Sequence, residues 1–286
     1  MPFALRPGQI IGSYTIDRVM GSDSLSFTYE ATHSILRGRF AIKEFFPQQF
    51  ASREHESSSD VVYRSNHAYT FERAVNQFEQ SAKALYTLNH PNIVRVVEYT
   101  KENATRYIIT DFVEGQTLER WLCSRRSPPP EAIFEQIFDA LEYVHLHKMI
   151  HGDIAPSNIV LNSYGLPVLT DFTMIATSSL IEPRQHYSPP ERTAVGVGAL
   201  PSIDVYSAAA VLYRVLTGAP PIDAHNRALA VADGRGDTYV PLASVSALAS
   251  SAARAIDRAL SLRAADRPQT IREFRQSLHG LYPVAP

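Results

Sequence analysis

Apolar and polar residues alternate over roughly the first 115 residues with the two-residue rhythm of half-buried strands. Tyr14-Thr15-Ile16-Asp17-Arg18-Val19, Phe27-Thr28-Tyr29-Glu30-Ala31 and Arg39-Phe40-Ala41-Ile42-Lys43 follow one another at hairpin spacing, and Ile93–Tyr99 and Arg106–Val113 predict two more strands. One helix interrupts them. Phe71, Val75, Phe78, Ala82, Leu85 and Leu88 recur every three or four residues, which lines one face of a helix. The polar stretch Pro47–Thr70 is long for a loop and reads as a mobile segment or a local embellishment.

Beyond that point the pattern is helical. Leu118–Ser124 is a short helix stopped by Pro128-Pro129-Pro130, and Glu131–His147 is a long one. Ile203–Thr217 is strongly apolar, with Gly218 behind it as a stop. Ala247–Leu262 and Thr270–His279 close the helical part, and Pro283–Pro286 reads as a frayed tail. Short strands are expected around Ile159-Val160-Leu161 and Val168-Leu169. Strands first and helices afterwards make the chain α+β.

Composition narrows the classes. The 286 residues are 45% hydrophobic, enough for a sizeable core. Lys+Arg at 27 against Asp+Glu at 29 gives a net charge of −2, with no electrostatic footprint for nucleic acid or a membrane surface. The single Cys123 cannot form an internal disulfide or a thiolate metal site, and reads as a small buried hydrophobe or a surface thiol. No apolar run reaches the ~18 residues of a membrane span, and no signal peptide is visible, so a cytoplasmic location is expected. Glycine is scarce: thirteen residues, where an average chain of this length carries about 20.

The most specific segment is His151-Gly152-Asp153-Ile154-Ala155-Pro156-Ser157-Asn158, followed by Leu169-Thr170-Asp171-Phe172. An aspartate, an asparagine five residues on and a second aspartate on the next hairpin suit Mg-nucleotide chemistry. The first can accept a hydroxyl proton, and the other two offer hard oxygens to Mg²⁺. The plain alternative is a turn rich in Asp and Asn.

At this point the chain resembles the protein kinase family, and bacterial serine/threonine kinase domains in particular. Ala41-Ile42-Lys43 matches the V-A-I-K strand, and His90-Pro91-Asn92-Ile93-Val94 the stretch after the regulatory helix. Ser188-Pro189-Pro190-Glu191 matches A-P-E, Asp204-Val205-Tyr206-Ser207 the start of the central helix, and Asp266-Arg267-Pro268 the arginine that pairs the A-P-E glutamate, here Glu191. The resemblance implies a bilobal protein-kinase-like fold: residues 1–113 as an N-lobe of antiparallel sheet plus one helix, residues 114–286 as a mainly α-helical C-lobe. It implies ATP and Mg²⁺, with Asp153 and Lys43 catalytic, and Asn158 and Asp171 on the metal. Gly21, Thr28, Ala41, Lys43, Thr110, Asp111, Val113 and Val160 fall at nucleotide-binding positions, with Thr110 as gatekeeper and Asp111–Val113 as hinge. Leu85, Val96, His151, Phe172 and Asp204 fall at regulatory-spine positions.

Several residues depart from the pattern. The glycine-rich loop reads Gly21-Ser22-Asp23-Ser24-Leu25-Ser26, and Asp23 puts a side chain and a negative charge where backbone amides meet phosphate; the plain alternative is an ordinary β-hairpin turn, which Ser and Asp suit well. The helix glutamate that pairs the strand lysine is replaced by Ser81. Glu79 is about 200° away around the helix, so Asp171 becomes the expected partner of Lys43. Gly152 stands for the arginine of H-R-D, Ala155 for a frequent lysine, and Thr173 for the glycine of D-F-G. Thr177, Ser178 and Ser179 are candidate autophosphorylation sites, although a Ser/Thr cluster there is also what a solvated loop looks like.

These features imply an ATP-dependent serine/threonine protein kinase, slow or atypically regulated, acting on a protein substrate. The alternatives are a pseudokinase that binds nucleotide or docks a partner, and a small-molecule phosphotransferase. The last shares the His-Gly-Asp segment but lacks the A-P-E region and the Asp204/Arg267 framework.

Overall fold

The computed structural model describes residues 3–55, 58–64, 68–124, 131–172, 184–193, 198, 200–245 and 250–278. These form two compact units: residues 3–89 with 94–113, and residues 90–93 with 114–278. Thr173, Thr177, Ser178, Ser179, Pro128–Pro130 and the tail Pro283–Pro286 lie outside the described residues.

The first unit runs β1 (Ile10–Ile11), β2 (Tyr14–Ser22), β3 (Ser26–His33), β4 (Arg39–Phe45), β5 (Ala51–Ser52), β6 (Val62–Tyr63), α1 (Ala68–Tyr86), β7 (Val96–Glu102) and β8 (Thr105–Asp111). Six of the strands make one antiparallel sheet in the order β1-β2-β3-β4-β8-β7. The alternation seen in the sequence decides its two faces. Phe27, Tyr29, Ala31, Phe40, Ile42, Tyr107 and Ile109 fill the core on one face. On the other, α1 lays Phe71 and Phe78 against Phe45, with ring centroids 5.5 and 5.3 Å apart. The strand expected to begin at Ile93 begins at Val96, and Ile93 bridges to Leu169 in the second unit's fold.

The polar stretch after Pro47 is an embellishment with its own hairpin, β5 against β6. A buried ion pair anchors it. Glu44 on β4 is fully buried among apolar neighbours, and Arg53 reaches it. Tyr29 and Tyr107 donate their hydroxyls to the same carboxylate at 2.6 and 2.9 Å. Arg53 also donates to the carbonyls of Phe3 and of Ser59. A buried charge is tolerated where its partners are complete, and here the partners come from three separate stretches of chain.

The second unit holds β9 (Gly115–Thr117), α2 (Leu118–Ser124), α3 (Glu131–Leu146), β10 (Ile159–Asn162), β11 (Pro167–Leu169), α4 (Pro201–Thr217), α5 (Ala224–Ala232), α6 (Ser250–Ala259) and α7 (Ile271–Ser277). β10 pairs antiparallel with both β9 and β11. Gly115 is required there: a Cβ on it would sit 2.0 Å from the Leu161 carbonyl oxygen. α4 is buried along nearly its whole length and ends on Gly218, whose left-handed φ of 79° lets its N–H close onto the Arg214 carbonyl. Cys123 is an exposed thiol. α5 leaves no clear stripe in the hydrophobic pattern. Asp223 caps its start, accepting from the His225 and Asn226 amides, but its buried face is Ala224, Arg227 and Ala230. Arg227 forks onto Asp237 at 2.9 and 2.8 Å and caps the Leu260 carbonyl. A buried arginine in place of a leucine hides the helix from a hydrophobicity pattern.

Candidate active site

In the first unit the strand register gathers the candidate nucleotide residues on one face. Thr28 lies opposite Lys43, Gly21 opposite Thr28, and Ala41 opposite Thr110. Thr28, Ala41, Lys43 and Thr110 are half-buried, whereas their strand neighbours Tyr29, Ile42 and Ile109 are fully buried on the core face. At the strand end Asp111 forks onto Arg95 at 2.8 and 3.1 Å, and its N–H is taken by the Arg95 carbonyl. Val113 is half-buried just beyond the strand.

The turn that replaces the glycine-rich loop is a hydrogen-bonded hairpin end. The Asp23 carboxylate accepts from the Leu25 amide at 2.8 Å and from the Ser26 hydroxyl at 2.7 Å. Gln48 clamps the Asp23 carbonyl from outside. This is the local bonding that Asp and Ser favour in turns. Its consequence is electrostatic, because the Lys43 ammonium lies 3.6 Å from Asp23 Oδ2. Glu79, the nearest acid to the missing helix glutamate, is engaged elsewhere. It pairs Lys101 at 2.9 Å and Lys83 at 3.1 Å and accepts from the Tyr99 hydroxyl. The hydrogen bonds from Lys101 and Lys83 hold its carboxyl down to about 2. Ser81 is half-buried, between the buried Phe78 and Ala82.

In the second unit the β10–β11 hairpin brings the two halves of the chemical motif together. Ile159 pairs with Leu169, so Asn158 and Thr170 leave the open end of the hairpin side by side. Both the N–H and the hydroxyl of Thr170 bond the Asn158 carbonyl, at 3.0 and 3.3 Å. This sets Asp171 beside the loop that carries Asp153 and Asn158. Asp171 itself has a φ of 58°, a left-handed backbone that few residues but Asn and Asp tolerate. The Asn158 side-chain amide donates to the Asp153 carbonyl at 2.8 Å and to its carboxylate Oδ2 at 2.7 Å. The amide oxygen of Asn158 therefore points away from Asp153, and the Ser157 hydroxyl donates to it at 3.1 Å. Asn158 and Asp171 together offer hard oxygen donors on adjoining turns, which is the donor set Mg²⁺ takes. Val160, half-buried on β10, pairs with Val168 and Thr117.

A buried carboxylate holds this loop in place. Asp204, at the start of α4, accepts from the backbone N–H groups of His151 and Gly152, both at 2.8 Å, and bonds His145 Nε2 at 2.8 Å. Burial alone would raise its carboxyl, but the His145 contact and the Gly152 amide hold it below the usual range. Gly152 has φ 75°, so glycine at this position relieves the strain a side chain would bring. Its carbonyl accepts from the buried Arg192 at 2.9 Å. The His151 ring packs on Phe172 with centroids 4.2 Å apart, and burial pushes its imidazole pKa down, so it acts as a neutral packing group. Farther out, Arg267 pairs Glu191 at 2.6 and 3.0 Å, the bond expected from the Asp266-Arg267-Pro268 and Pro190-Glu191 segments.

Arg184, which no motif marks, also reaches the catalytic loop. Arg184 lies over Asp153, with Nε 3.0 Å from Oδ1 and Nη2 2.7 Å from Oδ2, while Nη1 bonds the Ser157 hydroxyl at 3.2 Å. The available signal was an arginine seven residues before Glu191, together with a loop His151–Asn158 that carries no lysine or arginine of its own.

A family model described as the protein kinase domain matches residues 14–278. Serine/threonine-protein kinase PrkC of Bacillus subtilis is 30% identical over 226 residues, covering 75% of this chain and 32% of that protein. The chain thus spans about a third of the length of the curated relatives it matches. Among solved structures, the apo form of PpkA-294 superposes with a TM-score of 0.77 at 29% identity, covering 96% of this chain and 99% of that one. The PknI kinase domain of Mycobacterium tuberculosis superposes at 0.66 and 23% identity over 96% and 98%, a likeness of fold.

Proposed function

The chain belongs to the protein kinase family, and on that premise we propose that it transfers the γ-phosphate of ATP to serine or threonine hydroxyls of a protein substrate. The observation that carries this reading is the Asp153–Asn158 arrangement. One side chain orients the carboxylate at 2.7 Å while keeping its own oxygen turned outward. A turn selected only for stability has no need of that division.

The assignments follow from the chemistry of each group. Asp153 orients the attacking hydroxyl and takes its proton. Asn158 and Asp171 would hold Mg²⁺, which when bound would supply positive charge to offset that of the phosphates. Lys43 pairs a phosphate oxygen. Thr28, Ala41 and Val160 offer apolar surface to the adenine, and Thr110, Asp111 and Val113 border it, with Gly21 at the phosphate end. Transfer proceeds through a loose transition state, so positioning and charge do most of the catalysis. Asp23 competes with phosphate for Lys43, which weakens ATP binding.

Thermal melting with and without Mg·ATP tests the binding half. The wild-type protein should melt higher with Mg·ATP, and Asn158→Ala should lose the Mg²⁺-dependent part of the rise. No shift with nucleotide in the wild type would overturn the assignment. A shift without turnover would instead favour the nucleotide-binding pseudokinase.

A further inference from the structure

We propose that Arg184 is a positioning residue for phosphoryl transfer: it fixes the Asp153 carboxylate so that Oδ1 receives the substrate proton, and it places a guanidinium directly on the base. The inference rests on the kinase reading above.

The hydrogen bonds on Asp153 divide unevenly. Oδ2 accepts from Asn158 Nδ2 at 2.7 Å, from Arg184 Nη2 at 2.7 Å and from Arg184 Nε at 3.2 Å. Among the described residues, Oδ1 accepts only from Arg184 Nε, at 3.0 Å. An ionised carboxylate has about two acceptor directions per oxygen, so Oδ2 is saturated and Oδ1 keeps one. That remaining direction is where a hydroxyl can donate. In the reaction the hydroxyl proton passes to Oδ1, the hydroxyl oxygen bonds the γ-phosphorus, and the bond from phosphorus to the bridging oxygen breaks with its electrons leaving on ADP. Arg184 stays protonated throughout.

Charge makes the same point. The loop His151–Asn158 contains no lysine or arginine. Position 155 is a buried alanine, and Arg184 reaches across from the segment before Glu191 to bond both Asp153 and Ser157. A guanidinium forked on a carboxylate fixes it in two directions at once, which a single amide cannot do. The rival reading is a latch, in which Arg184 must leave before substrate can use Asp153. The open acceptor on Oδ1 argues against it.

The test uses wild type, Arg184→Ala and Arg184→Lys, with thermal melting to confirm folding and kcat and KM measured separately. Arg184→Ala should lower kcat about 100-fold, the cost of a small misplacement of a reacting group, with KM for ATP changed less than about threefold. Arg184→Lys should fall between, because an ammonium keeps the charge but not the fork. Methylguanidine at millimolar concentration should restore part of the turnover of Arg184→Ala and none of that of Asp153→Asn, a readout that a merely structural role would not move. Turnover of Arg184→Ala equal to or above wild type overturns the inference and leaves the kinase reading standing. So does an equal loss in Arg184→Lys with no response to methylguanidine. A wild type that binds Mg·ATP without transferring phosphate overturns both.

Discussion

Asp23→Asn should tighten ATP binding by about fivefold at low salt. In the structure the Lys43 ammonium sits 3.6 Å from Asp23 Oδ2, with side-chain exposures of 21% and 50%. Two unit charges at that distance attract by about 1 kcal/mol in a water-like dielectric, and half-exposed pairs fall at or below this value. Phosphate must displace that interaction, and 1 kcal/mol is about a fivefold change in Kd. The amide substitution is chosen because it keeps the turn: its oxygen can still accept the Leu25 N–H, and the Ser26 hydroxyl can reverse its role. Calorimetric titration with Mg·ATP measures the change. At about 1 M salt the screening length shrinks to ~3 Å, so the gain should drop below about twofold. Combining Asp23→Asn with Lys43→Met in a double-mutant cycle isolates the pair, since the benefit of Asp23→Asn should vanish without the lysine. Unchanged or weaker binding in Asp23→Asn, with an unchanged melting temperature, would refute the reasoning.

Other parts of the fold give equally direct expectations. Glu191→Gln strands the guanidinium of Arg267, whose side chain is 0% exposed; the carbonyls of Ser261 and Leu262 remain, so a loss near the lower end of the buried-pair range, about 3 kcal/mol, is expected in urea unfolding, and less than about 1 kcal/mol would contradict it. Asp204 is held below its ordinary value of 3.8, so its contribution to stability is complete above that pH and is lost as pH falls through the lower folded value. Melting curves from pH 6 to pH 2.5 should therefore steepen at the acid end for wild type and flatten for Asp204→Asn; parallel curves would count against it.

Much of this architecture is legible in the residues themselves. Alternation in β2, β3 and β4 gave both faces of the sheet, and so put Thr28, Ala41 and Lys43 together. The stripe on α1 placed Phe71 and Phe78 inward and Glu79 aside, as the Lys101 and Lys83 pairs show. What escaped has a common physical cause. Arg227 in α5, Arg53 against Glu44 and Arg184 on Asp153 are long charged side chains whose partners lie on other segments of the chain, 10, 9 and 31 residues away. Periodicity treats such residues as solvent-facing, because burial of a charge depends on a partner that only the fold supplies. Asp23 shows the converse: the sequence offers it either as a defect in a phosphate loop or as part of an ordinary hairpin turn, and the structure closes that turn and adds a lysine for it to hold.

The most direct test of the account is quantitative phosphotransfer from labelled ATP with Mg²⁺ to a basic protein substrate, comparing wild type with Asp153→Asn and identifying the modified residues by mass spectrometry. Label on serine or threonine in the wild type, lost with the Asp153→Asn substitution while Mg·ATP still raises that variant's melting temperature, is the predicted result. Equal label with both proteins, or none with either, would contradict the central role given to Asp153.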